Sequence, residues 1–292
     1  MNEYLSFATA IAREAGLLLK SKLNDHHTID FKGEIDIVTE ADRMSEALIL
    51  SAIRRQYPGH DVLSEESAAT RNGSSFRWIV DPLDGTTNYA HGYPVFCVSI
   101  ALEREGEIGL GVVFNPMLDE MFTAEKGAGA CLNGRKLSVS TTAILSHGLL
   151  ATGFPYDIRE SKDNNINYFV EMARKARAIR RAGSAALDLA YVAAGRFDGF
   201  WELKLSPWDT AAGCLLVGEA GGLVTDLFGA PFELQSPHVL ASNGVLHQDM
   251  MAVFRQAEND GCVKSSAGKA RKGTGLNLSP EAYIYVRRND EG

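Results

Sequence analysis

Two aspartates flank a Pro-Leu pair in WIVDPLDGTTNYAHG, residues 78–92, and a Gly-Thr-Thr run follows them. Asp81 comes directly after an apolar run, at the end of a predicted strand, where loops commonly present side chains to ligands. Pro82 cannot donate a ladder hydrogen bond, so the strand is predicted to stop there. Carboxylates as close as Asp81 and Asp84 repel each other unless a positive charge lies between them. Hard oxygen ligands clustered on one turn favour Mg²⁺ as that charge.

The residues after the two aspartates suit a phosphate group. Gly85 lets the backbone come close to a ligand. Thr86 and Thr87 are predicted N-caps of a short helix through TNYAHG, and the free N–H groups of a helix N-terminus attract anions. Two Mg²⁺ ions roughly 3.5–4 Å apart could activate a water and neutralise the leaving oxygen of a phosphate ester. The stretch therefore predicts metal-dependent phosphoryl chemistry.

Acidic residues elsewhere in the chain could complete such a site, although each has an ordinary structural explanation. Glu65 and Glu66 in LSEES would commonly be exposed charges at a strand end. Asp209 in SPWDTAAG lies at a predicted helix start, where aspartate is favoured. Asp42 follows Thr39 by three residues, as in a capping box. Because independent accidents rarely produce all of these in this order, we predict one shared site.

Several other kinds of site are not supported by the motifs. Aspartyl-phosphate phosphatases of the haloacid dehalogenase type carry D-x-D-G-T, whereas the spacing here is D-x-x-D-G-T, one residue longer. The glycine clusters GEIGLGVV and KGAGACLNG match neither G-x-G-x-x-G nor a Walker loop. The histidines form no H-E-x-x-H, and the four cysteines show no C-x-x-C spacing. A zinc site is therefore unsupported, and the cysteines favour a reducing compartment.

The composition argues against nucleic acid or a membrane as the main ligand. The chain has 292 residues, of which 45% are hydrophobic, and a formal net charge of −8. It has no dense basic block before the C-terminal tail, which a nucleic-acid or anionic surface would favour. No segment approaches the about 20 apolar residues of a membrane span, and the N-terminus does not resemble a secretory signal. We predict a soluble, cytoplasmic protein.

Hydrophobic periodicity predicts helices and strands in one globular unit with two lobes and a cleft between them. Amphipathic helices are predicted from Tyr4 to Leu23 and from Thr39 to QYPG, with a connection between them. An antiparallel meander follows, through FCVSIALERE, IGLGVVFNP and DEMFTAEK. The second half alternates as strand HGLLATGFP, helix NINYFVEMARKARAI, helix GSAALDLAYVAAG, strand DGFWEL, helix PWDTAAGCLLVGEAGG, strands GLVTDL and HVLASN, and helix LHQDMMAVFRQA.

One globular domain is predicted for residues 1–257. Its metal and phosphate lobe covers about 1–142, and its substrate lobe about 143–257. Residues 258–292 are rich in Gly, Ser and Lys and are predicted to be a linker-like tail of unknown role.

These segments resemble the inositol monophosphatase family of Mg²⁺-dependent, lithium-sensitive phosphatases. The resemblance is carried by IVTEAD (37–42), SEES (64–67), WIVDPLDGTTNYAHGYPVFCVSIAL (78–102), GSAALDLAYVAAGRFDGFWE (183–202) and PWDTAAGCLLVGEAGG (207–222). It covers residues 1 to about 257. It implies an α/β fold that is a layered α-β-α-β-α sandwich, and a protein that is often a homodimer.

The resemblance implies two to three Mg²⁺ ions per site. The first ion would be held by Glu65, Asp81 and the backbone carbonyl of Leu83. The second would be held by Asp81, Asp84 and Asp209. A third, water-rich site would lean on Glu65.

The resemblance also implies residues that act on the water and the phosphate. Thr86, hydrogen-bonded to Asp42, would orient the attacking water. The backbone N–H groups of Gly85 and Thr86 would bind the phosphate. Lys32 and Glu66 would support the site electrostatically, although Lys32 alone would be a solvated lysine.

For the alcohol, the resemblance implies contacts with polyol hydroxyls from Asp84, Gly183, Ser184, Ala185 and Glu202. An ionised Glu202 accepts two such hydrogen bonds, although alone it would be an exposed strand-end charge. The implied reaction is hydrolysis of myo-inositol monophosphate to inositol and phosphate by a metal-activated water, without a covalent intermediate. Related enzymes that act on fructose 1,6-bisphosphate, 3′-phosphoadenosine 5′-phosphate or NADP share the metal core. A regulatory binding protein on the same fold is a further alternative.

Overall fold

The computed structural model describes residues 3–25, 29–31 and 37–267. The predicted supporting residue Lys32 and residues 268–292 of the predicted tail lie outside these ranges. Within them, no helix is both long and apolar enough to cross a membrane.

The described part of the chain forms helices and strands, with a short 3₁₀ turn at Leu145–His147. The helices are α1 Glu3–Lys22, α2 Glu40–Gln56, α3 Thr86–Ala90, α4 Ile166–Ala173, α5 Ala185–Ala193, α6 Pro207–Glu219 and α7 His247–Ala267. The strands of the first half are β1 Ile29–Phe31, β2 Ile37–Thr39, β3 Asp61–Ser64, β4 Phe76–Asp84, β5 Cys97–Arg104, β6 Glu107–Asn115, β7 Glu120–Glu125, β8 Gly129–Leu132 and β9 Arg135–Lys136. Those of the second half are β10 Leu149–Thr152, β11 Ala178–Arg180, β12 Gly199–Leu203, β13 Leu223–Thr225 and β14 His238–Ser242.

Two sheets organise the molecule. A seven-stranded sheet has the order β3-β4-β5-β6-β7-β8-β9, and a five-stranded sheet has the order β11-β10-β12-β14-β13. The first is antiparallel except for the parallel pair β3 and β4, so the predicted meander through β5, β6 and β7 is confirmed. In the second, β10 runs parallel to β11 and β12, and β14 runs antiparallel to β12 and β13.

Three hydrophobic clusters show how the helices cover the two sheets. One cluster joins α1 and α2 to one face of the seven-stranded sheet. A second joins α5 and α6 to both sheets, so these helices form the middle layer. A third joins α4 and α7 to the five-stranded sheet. The predicted α-β-α-β-α sandwich is confirmed.

Small residues let the middle layer pack closely. A Cβ atom on Gly213 of α6 would lie 2.6 Å from the Cβ of Leu189 on α5. A Cβ atom on Gly111 of β6 would lie 2.8 Å from the Cα of Ala212. Because real Cβ atoms essentially never come so close, the glycines fix how near α6 lies to both neighbours. The helix that carries Asp209 is held against the strands by this packing.

Strand β4 does not stop at Pro82, so that prediction is wrong. Asp81 pairs with Ser99 and Asp84 with Cys97, and the register shifts between them. The irregular stretch has one residue more on β4 than on β5, as in a β-bulge, so Pro82 need not donate to the ladder. Residues three apart in a regular strand point to opposite faces. Since their partners on β5 are two apart, the bulge brings both aspartates to one face.

The short helix α3 does not use a threonine as its N-cap. The N-cap is Gly85, with φ of 100°, and no side chain caps the helix. The left-handed conformation favours glycine, and a Cβ atom there would also lie 2.9 Å from the carbonyl oxygen of Val95. Thr86 and Thr87 therefore occupy the first helical turn.

Other element boundaries differ from the predictions where pairing with distant strands decides the structure. Helix α4 ends at Ala173, and the end of the predicted helix instead begins β11, because Ala178 pairs with Leu149 on β10. The predicted connection after α1 contains β1, paired with β2. Helix α7 continues past residue 258 to Ala267, so the first ten residues of the predicted tail extend a helix. The predicted start of α2 is confirmed, since Thr39 and Asp42 form a capping box.

Candidate active site

One cavity of about 380 Å³ gathers most of the residues that the sequence singles out. It is lined by the ends of β3, β4 and β12 and by the first turns of α3, α5 and α6. The predicted site residues in its wall are Glu65, Asp81, Leu83, Asp84, Gly85, Thr86, Gly183, Ser184, Ala185, Glu202 and Asp209. Asp42 lies behind this wall, and Glu66 is half-buried outside the lining.

Three separate segments supply the four carboxylates of the metal prediction. Asp81 and Asp84 come from β4, where the bulge aligns them. Glu65 directly follows β3, and its N–H group lies 3.3 Å from the carbonyl oxygen of Val80. Asp209 is the third residue of α6, and its Oδ2 accepts a hydrogen bond of 2.6 Å from the N–H of Ser206. Its capping role and its position in the cavity wall are therefore compatible.

Burial and mutual repulsion disfavour the ionised forms of these carboxylates. Burial raises the pKa of Asp81 well above its usual value, and the charges of Glu65, Asp84 and Asp209 raise it further. The pKa of Asp209 is also raised well above its usual value, by burial first and then by the charge of Asp84. A cation among these oxygens would favour their ionised forms.

The chemistry of this donor set fits a hard divalent cation. Carboxylate and carbonyl oxygens are the ligands that Mg²⁺ prefers, and the cavity wall presents four carboxylates. Among the described residues, no three histidine, cysteine, aspartate or glutamate side chains stand in a geometry that could hold one ion. The match to a divalent cation therefore rests on the types of donor atom, on the cavity they share and on the repulsion between the carboxylates. It does not rest on a preformed coordination shell.

A buried hydrogen-bond chain lies behind Thr86. The Thr86 hydroxyl donates to Oδ1 of Asp42 at 2.8 Å, and it also lies 3.1 Å from the carbonyl oxygen of Leu83. Oδ2 of Asp42 accepts hydrogen bonds from the N–H and the hydroxyl of Thr39, at 2.8 and 2.5 Å. Burial raises the pKa of Asp42, and its bonds to Thr39 and Thr86 oppose that shift. The chain fixes the Thr86 hydroxyl as a donor to Asp42.

Residues at the start of α5 hold the carboxyl group of Asp84. The Ser184 hydroxyl donates to Oδ2 of Asp84 at 2.6 Å, and the N–H of Ala186 donates to the same oxygen at 2.8 Å. Both Asp84 and Ser184 are buried. Burial raises the pKa of Asp84, whereas these two hydrogen bonds lower it. The predicted substrate contact Ser184 is thus bonded to a predicted metal ligand.

Glu202 also lines the cavity, and its carboxyl group lies against Gly153. A Cβ atom on Gly153 would clash with all three atoms of the Glu202 carboxyl group. Burial raises the pKa of Glu202 to about 8, and the nearby guanidinium of Arg181 lowers it. The carboxyl group of Glu202 is therefore closely packed, and the positive charge of Arg181 only partly offsets the effect of burial on it.

The cavity wall around Glu202 also contains residues that were not predicted from the sequence. Phe154, Tyr156, Arg181 and Lys204 also line the cavity. Lys204 adopts a φ of 59° and forms an ion pair of 2.7 Å with Asp157. The sequence signals for this wall are that GFP ends the predicted strand HGLLATGFP and that Arg181 lies two residues before Gly183 of the GSAA segment.

Comparison with known proteins gives one consistent result. A family model described as "Inositol monophosphatase family" matches residues 1–259. An inositol-1-monophosphatase from Synechocystis is 45% identical over 252 residues, which are 86% of this chain and 88% of that protein. A protein from Pseudomonas aeruginosa named Nus factor SuhB is 46% identical over 250 residues, 83% of this chain and 92% of that protein. The solved structure of an inositol monophosphatase from Anabaena has a TM-score of 0.80 and 45% identity, covering 87% of this chain and 95% of that one.

Proposed function

Because the chain belongs to the inositol monophosphatase family, we propose that it is a Mg²⁺-dependent phosphomonoesterase that hydrolyses myo-inositol monophosphate to inositol and phosphate. Membership supports a phosphatase of this family. One observation carries the finer proposal: four carboxylates from three segments meet in one cavity, which Glu202 also lines. The cavity volume of about 380 Å³ suits a small phosphorylated polyol.

We assign the cation sites to the carboxylates that repel one another. Glu65, Asp81 and the carbonyl of Leu83 would hold one ion, and Asp81, Asp84 and Asp209 a second. A third, water-rich site beside Glu65 belongs to the same proposal. When bound, such ions supply positive charge that neutralises the phosphate oxygens and activates water.

Thr86 and Asp42 would orient the attacking water. Both buried partners of the Thr86 hydroxyl, Oδ1 of Asp42 and the carbonyl oxygen of Leu83, are acceptors, so the hydroxyl donates to them and its oxygen has lone pairs left for the cavity. A water that donates a hydrogen bond to this oxygen has its own lone pair directed away from Thr86. Placing the nucleophile in this way is the kind of orientation that lowers the barrier to attack on phosphorus.

The turn at Gly85 would hold the phosphate. The backbone at Gly85 approaches the cavity without a side chain, and the N–H groups at the start of α3 carry partial positive charge. We assign the N–H groups of Gly85 and Thr86 to the phosphate oxygens. Glu66 and Lys32 remain assigned to the surrounding electrostatics.

Glu202 and the residues at the start of α5 would recognise the alcohol. A Glu202 carboxylate accepts hydrogen bonds from two neighbouring hydroxyls, and the backbones of Gly183 and Ala185 lie in the same wall. Since burial raises the pKa of Glu202 to about 8, hydrogen bonds from substrate hydroxyls would favour its ionised form. A polyol ring supplies such donors.

The Asp81→Asn variant tests the metal assignment. It keeps the shape of the side chain and removes one charge, so we expect turnover to be abolished with the fold retained. Asp198→Asn is the matched control, because Asp198 is a buried aspartate bonded to Ser140 and to the N–H of Leu149, outside the cavity wall. Near-normal activity of Asp81→Asn, or full activity of wild-type protein stripped by a chelator, would refute the proposal.

A substrate panel at fixed Mg²⁺ tests the alcohol. The panel contains myo-inositol 1-phosphate, fructose 1,6-bisphosphate, 3′-phosphoadenosine 5′-phosphate and NADP, whose phosphatases share the metal core. We expect the highest kcat/KM for the inositol phosphate, because Glu202 suits a ring of hydroxyls. A much higher kcat/KM for fructose 1,6-bisphosphate would show that the substrate assignment is wrong.

Two further properties belong to the same proposal. The resemblance implies inhibition by lithium and a homodimeric state. Inhibition is measured as the loss of Mg²⁺-dependent turnover when lithium replaces sodium at constant ionic strength. The homodimer is measured by sedimentation of the full-length chain.

A Nus-factor role is the second candidate function, favoured by the name of the Pseudomonas relative. This role would not require hydrolysis, so it can coexist with the phosphatase. We expect it to be separable by genetics: the inactive Asp81→Asn variant would rescue a deletion phenotype that depends on binding alone. Failure of this folded variant, with rescue by the wild type, would assign the phenotype to catalysis.

A further inference from the structure

Three donors converge on a single oxygen of Asp84. The Ser184 hydroxyl and the Ala186 N–H group bond to Oδ2 at 2.6 and 2.8 Å. The Cys97 thiol lies 3.6 Å from the same oxygen. Asp84, Ser184 and Cys97 are all buried, so water does not compete strongly for these bonds. With Oδ2 held from behind, Oδ1 is the oxygen that Asp84 can offer to the cavity.

The Ser184 hydroxyl is not used to cap its own helix. Ser184 is the N-cap residue of α5, but its side chain makes no cap hydrogen bond. The N–H group of Ala186 in the first turn is instead satisfied by the carboxyl group of Asp84. Because the helix does not depend on this hydroxyl, its main hydrogen bond is the one to Asp84, with Cys97 Sγ 3.7 Å away.

Asn88 holds the segment before Ser184 in place. Its Nδ2 lies 2.8 Å from the carbonyl oxygen of Ala182 and 2.7 Å from that of Val95. The backbone of Gly183 has a φ of 85°, and a Cβ atom there would lie 3.1 Å from Nδ2 of Asn88. The turn that delivers Ser184 to Asp84 is therefore fixed by Asn88 of α3.

We propose that Ser184 is a positioning residue that orients the carboxyl group of Asp84 toward a divalent cation, and not a direct contact of the substrate. This inference rests on the proposed metal-dependent function. It reassigns the role that the family resemblance gives to the Ser184 side chain. Partners of this kind fix the orientation of metal ligands, and removing one typically weakens metal binding about 10- to 100-fold.

Cation binding without substrate separates the two roles of Ser184. Mn²⁺ binding to the full-length protein is measured by electron paramagnetic resonance, and Mg²⁺ binding by calorimetry. We expect Ser184→Ala to weaken binding about 10- to 100-fold and Ser184→Thr, which keeps the hydroxyl, to retain it. Ser140→Ala is the matched control, because Ser140 donates a comparable hydrogen bond of 2.5 Å to Asp198, outside the cavity wall.

Other results of these measurements would contradict the inference or the proposed function. If Ser184→Ala binds cations as the wild type does, the inference is wrong, whether or not KM for the substrate rises. A raised KM alone would assign Ser184 to the substrate and leave the proposed function intact. If the wild type binds no divalent cation, the proposed function fails and this inference fails with it. If Ser184→Ala does not fold, Ser184→Gly replaces it with the same expected loss, since glycine is well tolerated at an N-cap.

Discussion

The Gly153→Ala substitution tests whether Glu202 must lie where it does. The backbone at Gly153 is not in the left-handed region, so alanine adds one methyl group without backbone strain. That methyl group would come well inside 3.0 Å of Oε1, Oε2 and Cδ of Glu202. Ordinary contact begins at 3.4 Å. The carboxyl group must therefore move away from the position in which we propose that it binds the polyol.

The expected effect follows from the size of that movement. A displacement of about 1 Å in a positioning group can reduce kcat/KM about 100-fold, which corresponds to about 2.7 kcal/mol in transition-state stabilisation. The assay measures kcat/KM for myo-inositol 1-phosphate at saturating Mg²⁺, together with Mg²⁺ binding by calorimetry. Because Glu202 is not an assigned cation ligand, the cation affinity is expected to stay at the wild-type value.

Gly218→Ala is the matched control for this substitution. Gly218 lies in α6, and a Cβ atom there would meet nothing within 4 Å. We expect unchanged kcat/KM and a gain in stability of about 0.5–1 kcal/mol, since alanine favours a helix over glycine. If Gly153→Ala hydrolyses the substrate as efficiently as the wild type, the position of Glu202 does not matter to the reaction.

Three more predictions follow from individual contacts. Thr86→Val removes the hydroxyl that donates to Asp42 at 2.8 Å, so we expect kcat to fall about 100-fold or more with cation affinity unchanged; a kcat near the wild-type value would contradict the role of Thr86. Burial lowers the pKa of His247 from 6.5 to about 4. Since the folded pKa lies below the unfolded one, this contribution to stability is complete above pH ~6.5 and is lost progressively as the pH falls toward ~4. Urea unfolding across this range should show a weaker pH dependence in His247→Gln, and identical curves would exclude the effect. Gly213→Ala places a Cβ atom 2.6 Å from that of Leu189 and should cost about 1–3 kcal/mol by overpacking, measured as a lower Tm; an unchanged Tm would show that α5 and α6 can separate.

Elements with strong local signals were predictable from the sequence. The amphipathic period of α1, the Thr39 cap of α2 and the proline at the start of α6 are all local features, and the structure has each of them. The glycine-punctuated alternation of β5, β6 and β7 likewise marks strands that pair with their neighbours in sequence. Local propensity and tertiary structure agree in these segments.

Elements that are very short, or that form only through distant pairing, were not predictable. Strands β8, β9 and β11 have two to four residues each, too few to show a period. Strand β11 is formed by pairing with β10, about 30 residues earlier. The contact between Ser184 and Asp84 joins residues 100 positions apart. A motif can indicate that both residues belong to one site, but only the fold shows that one holds the other.

The spacing of the two aspartates has a structural reason. With D-x-D spacing, both side chains would share one face of a regular strand. With the D-x-x-D spacing found here, they share a face only because the register shifts between Asp81 and Asp84. The same shift brings Asp84 opposite Cys97 and within reach of Ser184. The additional residue that separates this motif from that of the haloacid dehalogenase type is therefore the one that the bulge accommodates, and the bulge places Asp84 within reach of Ser184.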